Sequence, residues 1–472
     1  MTVKIEGIQA LSFENDRPVT DLADIYIKDD RIVKICRIAD GRAYKDVFGT
    51  SGVSEGSAEG IKDNRNNGNC EAGAFTEKID KVVSGRNKLA IPGLINAHTH
   101  AYMTMFRNIA DDVPFTEWLF DTVSPLEDEM TGQESYFGAT LANLEMIRSG
   151  TTSYVDMHMT PDESAKAAFD SGMRVCLTRG LVGDKRDDEG GIRRLNEALH
   201  DNEKWCDGDR LMTMLAPHAP YSCGPDYLEY IASFAKENGF GLHIHLAEGL
   251  NEIEGIREKY NLTPIEYADR AGVFEVRTIA AHCVHLSDHD FDILKDKNVN
   301  VAVNPVSNMK LANGFSNVPR MLEKGISVCI GTDGAASNNS LNLFREMAIE
   351  ALIHKGINKD AVTVSAADVL KMATIGGAKA LGRENDLGQI KEGYKADITI
   401  LDLKSPSLMP NNNLVSALVY SCTGNEVDTV IVNGKILMER KEVKTIDEEK
   451  LYFEMERIGS RYMKIVEDKK RS

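Results

Sequence analysis

The stretch "PGLINAHTHAYMTMFRNIADDVPFTEWL", residues 92–119, sets two histidines one residue apart, His98 and His100, behind the apolar run Leu89, Ala90, Ile91 and a Pro-Gly pair. Alternate residues of a strand point to the same side, so a strand here aims both imidazoles at one point. From Leu89 onward, short β-rich runs alternate with longer segments of helical periodicity, the pattern of strand-helix units around a parallel sheet. The runs are "LAIPGLINAHTH", "TTSYVDMHM", "MRVCLTRGL", "RLMTMLAPHAPY", "FGLHIHLAE", "RTIAAHCVHL", "VNVAVNPVS" and "ISVCIGTDGAAS". Eight such units predict an α/β fold, a (β/α)8 barrel of the TIM type, with its active site at the carboxyl ends of the strands.

The flanks read differently. "ADIYIKDDRIVKI" near the amino terminus alternates apolar and polar residues on either side of an Asp-Asp turn, and "KADITILDL" and "VDTVIVNGKIL" do so again beyond the barrel, around Asn-Gly. Neither set supports a core alone, so the two ends are expected to form one small composite β-sandwich. The expected organisation is residues 1–90 as the first part of that β-domain, 91–390 as the barrel, and 391–472 as the second part, with the amphipathic "DEEKLYFEMERIGSRYMKIVEDKK" as a surface helix. The Gly-, Asn-, Ser- and Glu-rich text at about 39–87 reads as a mobile insertion with no catalytic role.

Composition narrows the function. Among 472 residues, 55 Lys and Arg stand against 73 Asp and Glu, a net charge of −18 that opposes nucleic acid and anionic membrane surfaces as partners. The eight cysteines carry no C-x-x-C pair, which argues against a disulfide framework or a cysteine-bound metal and fits a reducing cytoplasm. The amino terminus has no basic-then-apolar leader, and no run approaches ~18 uninterrupted apolar residues.

Metal-ligand residue types recur at the strand ends: His98 and His100 on strand one, His245 and Glu248 on strand five, His282 on strand six, Asp333 on strand eight. Barrel geometry gathers them at one mouth. His98, His100, His245 and Asp333 are read as ligands of a divalent metal ion, Zn2+ by donor type, although iron and manganese accept the same set. His243 and His285 are read as packing or supporting residues, His158, His200, His289 and His354 as ordinary ones, and Glu252 and Glu254 as surface charges on the acidic helix "AEGLNEIEG".

The stretches "PGLINAHTH", "HLAE", "AHCVHL" and "GTDGAASNNSLNLFREM" resemble the amidohydrolase superfamily over nearly the whole chain. Within it, "AYMTMFRNIADDVPFTEWLF", "LTRGL", "APHAPYSC" and "NPVSNMKLANG" are most similar to the 5-methylthioadenosine/S-adenosylhomocysteine deaminases. The resemblance implies one metal ion per chain, since strand four offers His218 where binuclear relatives carry a bridging lysine. It implies hydrolytic deamination of S-adenosylhomocysteine, 5-methylthioadenosine or adenosine, small-molecule nucleosides, to the inosine analogue and ammonia. Guanine, cytosine or triazine hydrolysis, or a noncatalytic barrel scaffold, are the alternatives, and a homo-oligomer stays open.

For attack on an adenine ring, Glu248 would protonate the ring nitrogen N1, Asp333 would take the proton of the attacking water, and His282 would orient that water. On the residues alone, Trp118 reads as a helix-face core residue and Glu127 as a solvated charge. The resemblance instead implies nucleoside contacts for Trp118, ribose hydroxyls for Glu127, an adenine ring nitrogen for His218, and the substrate's tail carboxylate for Arg179 and Arg194, with Arg193 the alternative to Arg194.

Overall fold

The computed structural model describes residues 1–38 and 77–471. Eight parallel strands form the barrel: Leu94–Thr99, Thr151–His158, Arg174–Leu181, a broken fourth made of Leu211–Thr213 and Ala216–Pro217, then Leu242–Leu246, Thr278–His282, Asn300–Val303 and Ser327–Ile330. Their residues are almost all buried, as expected of a parallel sheet covered by helices. The fourth strand stays bonded to both neighbours across its break: Met214 N–H donates to Leu177 of strand three and Leu215 N–H to Gly241 before strand five, 3.1 and 3.0 Å, and His218 N–H, just past Pro217, donates to Leu181 at 2.9 Å. Closure occurs at the candidate site itself, where the N–H groups of Thr332 and Asp333 donate to the His98 carbonyl at 3.1 and 3.0 Å.

"LAIPGLINAHTH" proves to be two strands rather than one. Lys88–Pro92 pairs antiparallel with Ile398–Asp402, and only Leu94–Thr99 enters the barrel. The chain changes sheets at Pro92, which cannot donate to a ladder, and at Gly93, where an added Cβ would lie 2.1 Å from Thr152 Oγ1.

Both ends of the chain share one hydrogen-bonded sheet, nine-stranded among the described residues. Eight of its strands run in the order Glu442–Val443, Lys435–Glu439, Val427–Val432, Ile398–Asp402, Lys88–Pro92, Thr2–Glu14, Arg17–Lys28, Arg31–Arg37, and the ninth, Lys81–Ser84, pairs with Thr2–Glu14 off this path. Val3, Ile5, Ile25, Ile398 and Ile431 bury together, so neither segment supplies that core alone. Residues 39–76 of the expected insertion lie outside the described residues. Its end is corrected: Lys81–Ser84 is a strand, parallel to Thr2–Glu14, because Val83 buries its side chain in the shared core.

The barrel is bolted to this sheet by Arg174, which is 0% exposed. Its guanidinium donates to Asp397 Oδ2 at 2.7 Å and Oδ1 at 3.2 Å, to the Asp209 carbonyl at 2.8 Å and to Asn433 Oδ1 at 3.1 Å. The terminal helix Glu448–Arg471 buries Leu451, Ile458 and Tyr462, with the Tyr462 ring edge-on to Phe106 at 5.0 Å. No described helix is long and apolar enough to cross a membrane. Removing one partner of a buried ion pair leaves an uncompensated charge, so Arg174→Met should lower stability by about 3–5 kcal/mol in denaturant titration. A loss below ~0.5 kcal/mol would mean that Arg174 is not the bolt.

Candidate active site

His98, His100, His245 and Asp333 converge: one ligand atom from each lies within 4.8 Å of all the others, and all four residues are buried. Each imidazole is turned inward by a partner behind it. His100 Nδ1 lies 2.7 Å from the Met157 carbonyl and His245 Nδ1 2.8 Å from the His218 carbonyl; a carbonyl only accepts, so both rings carry the proton on Nδ1. His98 reaches the same state by relay. Thr178 Oγ1 donates to the Asp156 carbonyl at 2.8 Å, so it accepts from His243 Nδ1 at 3.0 Å; His243 Nε2 then accepts from His98 Nδ1 at 2.9 Å. His243 thus supports a ligand from behind.

The consequence is three bare Nε2 lone pairs facing one space. His98 Nε2 is buried with no hydrogen-bond partner, and the Nε2 atoms of His100 and His245 lie 3.3 Å apart, a repulsive approach unless a cation stands between them. Asp333 Oδ1 completes the set at 3.2 Å from His98 Nε2 and 3.3 Å from His100 Nε2, while its Oδ2 accepts from Ser307 and Ser337 Oγ, both at 2.7 Å. Burial lowers His98 to about 4 and holds His245 well below the ordinary histidine value, which keeps both neutral as metal binding requires. These donors fit a divalent cation.

Glu248 and His282 stand at the rim, with His282 Nε2 3.8 Å from Glu248 Oε2. His282 Nδ1 lies 2.8 Å from Asn308 Oδ1, which leaves its buried Nε2 without a partner and free to accept. Glu248 Oε1 accepts from Asn313 Nδ2 at 3.1 Å, and burial raises its pKa. A cavity of about 330 Å3 lined by Phe115, Phe120, Tyr221, Leu250 and Asn313 reaches Glu248.

This geometry has a counterpart among known proteins. Residues 89–437 match the family model described as amidohydrolase family. The chain belongs to the amidohydrolase family. It is 43% identical over 460 residues to a "5-methylthioadenosine/S-adenosylhomocysteine deaminase" of Caldanaerobacter subterraneus, covering 97% of this chain and 98% of the relative. It is 47% identical over 383 residues to the protein of that description from Dictyoglomus thermophilum, with 81% and 89% covered. Among solved structures, an adenosine deaminase from Xanthomonas campestris with bound zinc superposes with a TM-score of 0.86 at 27% identity over 98% of both chains.

The remaining candidates of this amidohydrolase surround the cluster unevenly. Trp118 is buried, its Nε1 donating to the Ala336 carbonyl at 3.3 Å. Glu127 accepts a short hydrogen bond from Tyr102 Oη, and burial raises its pKa. His218 packs 4.8 Å from the His245 ring with Nδ1 3.0 Å from Ser222 Oγ. Arg179, 7% exposed, gives Nε and Nη2 to Glu197 Oε2, each at 2.9 Å. Arg194 donates to the Val182 carbonyl at 3.2 Å beside a cavity that also touches Tyr221, whereas the Arg193 side chain is 67% exposed and leans toward Glu197 at 3.6 Å.

One reading is overturned. Glu252 is not a surface charge: it is 5% exposed, and its two oxygens accept from the N–H groups of Ala247 and Glu248 at 3.0 and 2.9 Å. Its place four residues after Glu248, on the first helical turn, was the available signal. For the relay, His243→Phe should weaken divalent-metal affinity about 10–100-fold in competition with a chelator, as loss of outer support to a ligand does. Unchanged affinity would show that His98 needs no relay.

Proposed function

We propose that this chain is a metal-dependent hydrolytic deaminase that converts S-adenosylhomocysteine, 5-methylthioadenosine or adenosine to the inosine analogue and ammonia. The observation that carries the reading is the set of three bare Nε2 atoms and Asp333 Oδ1 facing one point, with Glu248 and His282 at its rim. The likeness at 43% identity over nearly the whole chain supports the substrate class. One divalent ion per chain, zinc by donor type, would be held by His98, His100, His245 and Asp333 and would supply Lewis-acid activation of a water. Cys176, Cys206, Cys223, Cys283, Cys329 and Cys422 are free thiols, which supports a reducing compartment, the cytoplasm, as the place of work.

The chain's own groups divide the proton work. Asp333 Oδ1 faces the nucleophile's side and takes its proton, while the bare His282 Nε2 orients it by accepting a hydrogen bond. Glu248, whose pKa burial raises, delivers a proton to N1 of the ring, so that electrons displaced by attack at C6 settle on a protonated nitrogen. Asp333 then passes the proton it took to the exocyclic amino group, the C–N bond breaks as the tetrahedral carbon collapses to the carbonyl, ammonia leaves, and the hydroxyl proton returns to Glu248.

Substrate contacts follow from what each side chain has left to offer. Glu127 has one oxygen beyond Tyr102's, suited to a ribose hydroxyl. Burial lowers His218 to about 3 and keeps it neutral. For its Nε2 to donate to an adenine ring nitrogen, the Ser222 hydroxyl, 3.0 Å from Nδ1, turns its proton from the Ala219 carbonyl, 3.2 Å away, onto the imidazole. Trp118 contributes an apolar wall. Arg194 and the one Nη2 proton of Arg179 that Glu197 does not take receive the tail carboxylate of S-adenosylhomocysteine.

The direct test is to follow the adenine-to-hypoxanthine absorbance change on zinc-loaded protein with all three nucleosides; no change with any of them rules the assignment out. Glu248→Gln should retain its metal and lose roughly 10²–10⁴-fold in rate. Near-normal turnover would remove Glu248 from the chemistry. Arg179→Met should lower kcat/KM for S-adenosylhomocysteine by well over tenfold and for 5-methylthioadenosine much less, since breaking a buried charge pair costs about 2–5 kcal/mol. Equal losses would assign Arg179 to the ring pocket or the fold.

A further inference from the structure

We propose that Glu252 is a positioning residue for Glu248, holding the backbone from which the proton-carrying side chain projects. The proposal rests on the reading of Glu248 as proton carrier. A buried carboxylate is costly unless its oxygens are satisfied, and among the described residues Glu252 pairs with no lysine or arginine. Its two oxygens instead clamp two consecutive peptide N–H groups, Ala247 at 3.0 Å and Glu248 at 2.9 Å.

Those N–H groups precede the helix Leu250–Tyr260, beyond the reach of its own carbonyls, and both bonds are buried. Without Glu252 they would be orphaned donors. The clamp is needed because Ala247 has φ 51, in the left-handed region that a residue with a Cβ rarely adopts. The opposite side of the same peptide is held too: the Ala247 carbonyl accepts from Val284 N–H at 2.9 Å and His285 N–H at 3.0 Å, just after His282. Glu252 therefore presses the Glu248 segment onto the loop that follows His282, which fixes the spacing of the two rim groups.

Glutamine is the discriminating substitution. A Glu252→Gln amide has one accepting oxygen, and its NH2 faces the second backbone N–H as donor against donor. Leaving one buried donor unsatisfied lowers kcat about tenfold, with KM and metal content unchanged. The decisive readout is the double variant. If Glu252 acts through Glu248, adding Glu252→Gln to Glu248→Gln produces no further loss in kcat. Multiplying losses, or a loss carried by KM or by metal content, would overturn the positioning role. Glu252→Asp is the second variant should glutamine prevent folding: it keeps a carboxyl group but falls a methylene short of both N–H groups, and the same kcat-only loss is expected. Full activity in either single variant would also overturn the proposal. A fully active Glu248→Gln would instead sink the proton-carrier reading on which it rests.

Discussion

Three imidazoles can face one cation only if each keeps its proton on Nδ1 and its lone pair on Nε2, and the rest of the site depends on that constraint. His100 and His245 meet it with single carbonyl acceptors, Met157 and His218. His98 meets it through His243 and Thr178, and the direction of that relay is set by the lone hydroxyl proton of Thr178, committed to the Asp156 carbonyl. The relay crosses four barrel strands, so protonation at the centre is a consequence of register. Strands two and three are aligned with Met157 opposite Thr178. A slip of one residue would turn Thr178 to the other face and leave His98 free to place its proton on either nitrogen.

Holding the donors in place is opposed by backbone strain. Ala247, His282, Cys283 and Asp333 all have positive φ, at φ 51, 73, 49 and 59, at or just beyond the carboxyl ends of the barrel strands that carry the site. Such residues cost roughly 1–3 kcal/mol each. They persist because their neighbours are tied: the His282 carbonyl accepts from Ser316 Oγ at 2.6 Å, and Asp333 N–H closes the barrel on His98. Further out, Arg174 locks the barrel to the nine-stranded sheet, and Tyr462 of the terminal helix braces Phe106 in the turn that follows His100.

The barrel, the metal cluster and the rim pair were legible because they rest on residue types at strand ends, a feature that survives in one dimension. His98 and His100 announce a common direction by their spacing alone, and strand rhythm supplies the remaining ends. What the sequence concealed is whatever depends on partners far along the chain. Glu252 resembles any acidic residue of an exposed helix until the backbone of Ala247 and Glu248 is placed against it. Arg179 advertises a free cation, yet Glu197 already occupies its Nε and Nη2 face. The switch of sheets at Pro92 and Gly93 was hidden for a related reason: an apolar run carries no mark of which of two sheets claims each half.

The placement of the substrate-facing segment ties recognition to the metal ligands. Tyr102, two residues after His100, holds Glu127, the proposed ribose acceptor, while Trp118 on the same stretch of chain bonds to the carbonyl of Ala336, three residues after Asp333. Lys310 Nζ donates to that same carbonyl at 2.9 Å. The segment from Trp118 to Glu127 is thus fastened at one end to the turn leaving His100 and at the other to the helix leaving Asp333. A nucleoside that engages Glu127 and Trp118 pulls on two ligand-bearing loops rather than on a free flap, and those loops are themselves joined through the His98 carbonyl. With the proposed contacts of Glu127 and Trp118, recognition of the ribose and placement of the reacting carbon would be one mechanical event, the way contacts remote from the reacting ring come to be used in its chemistry.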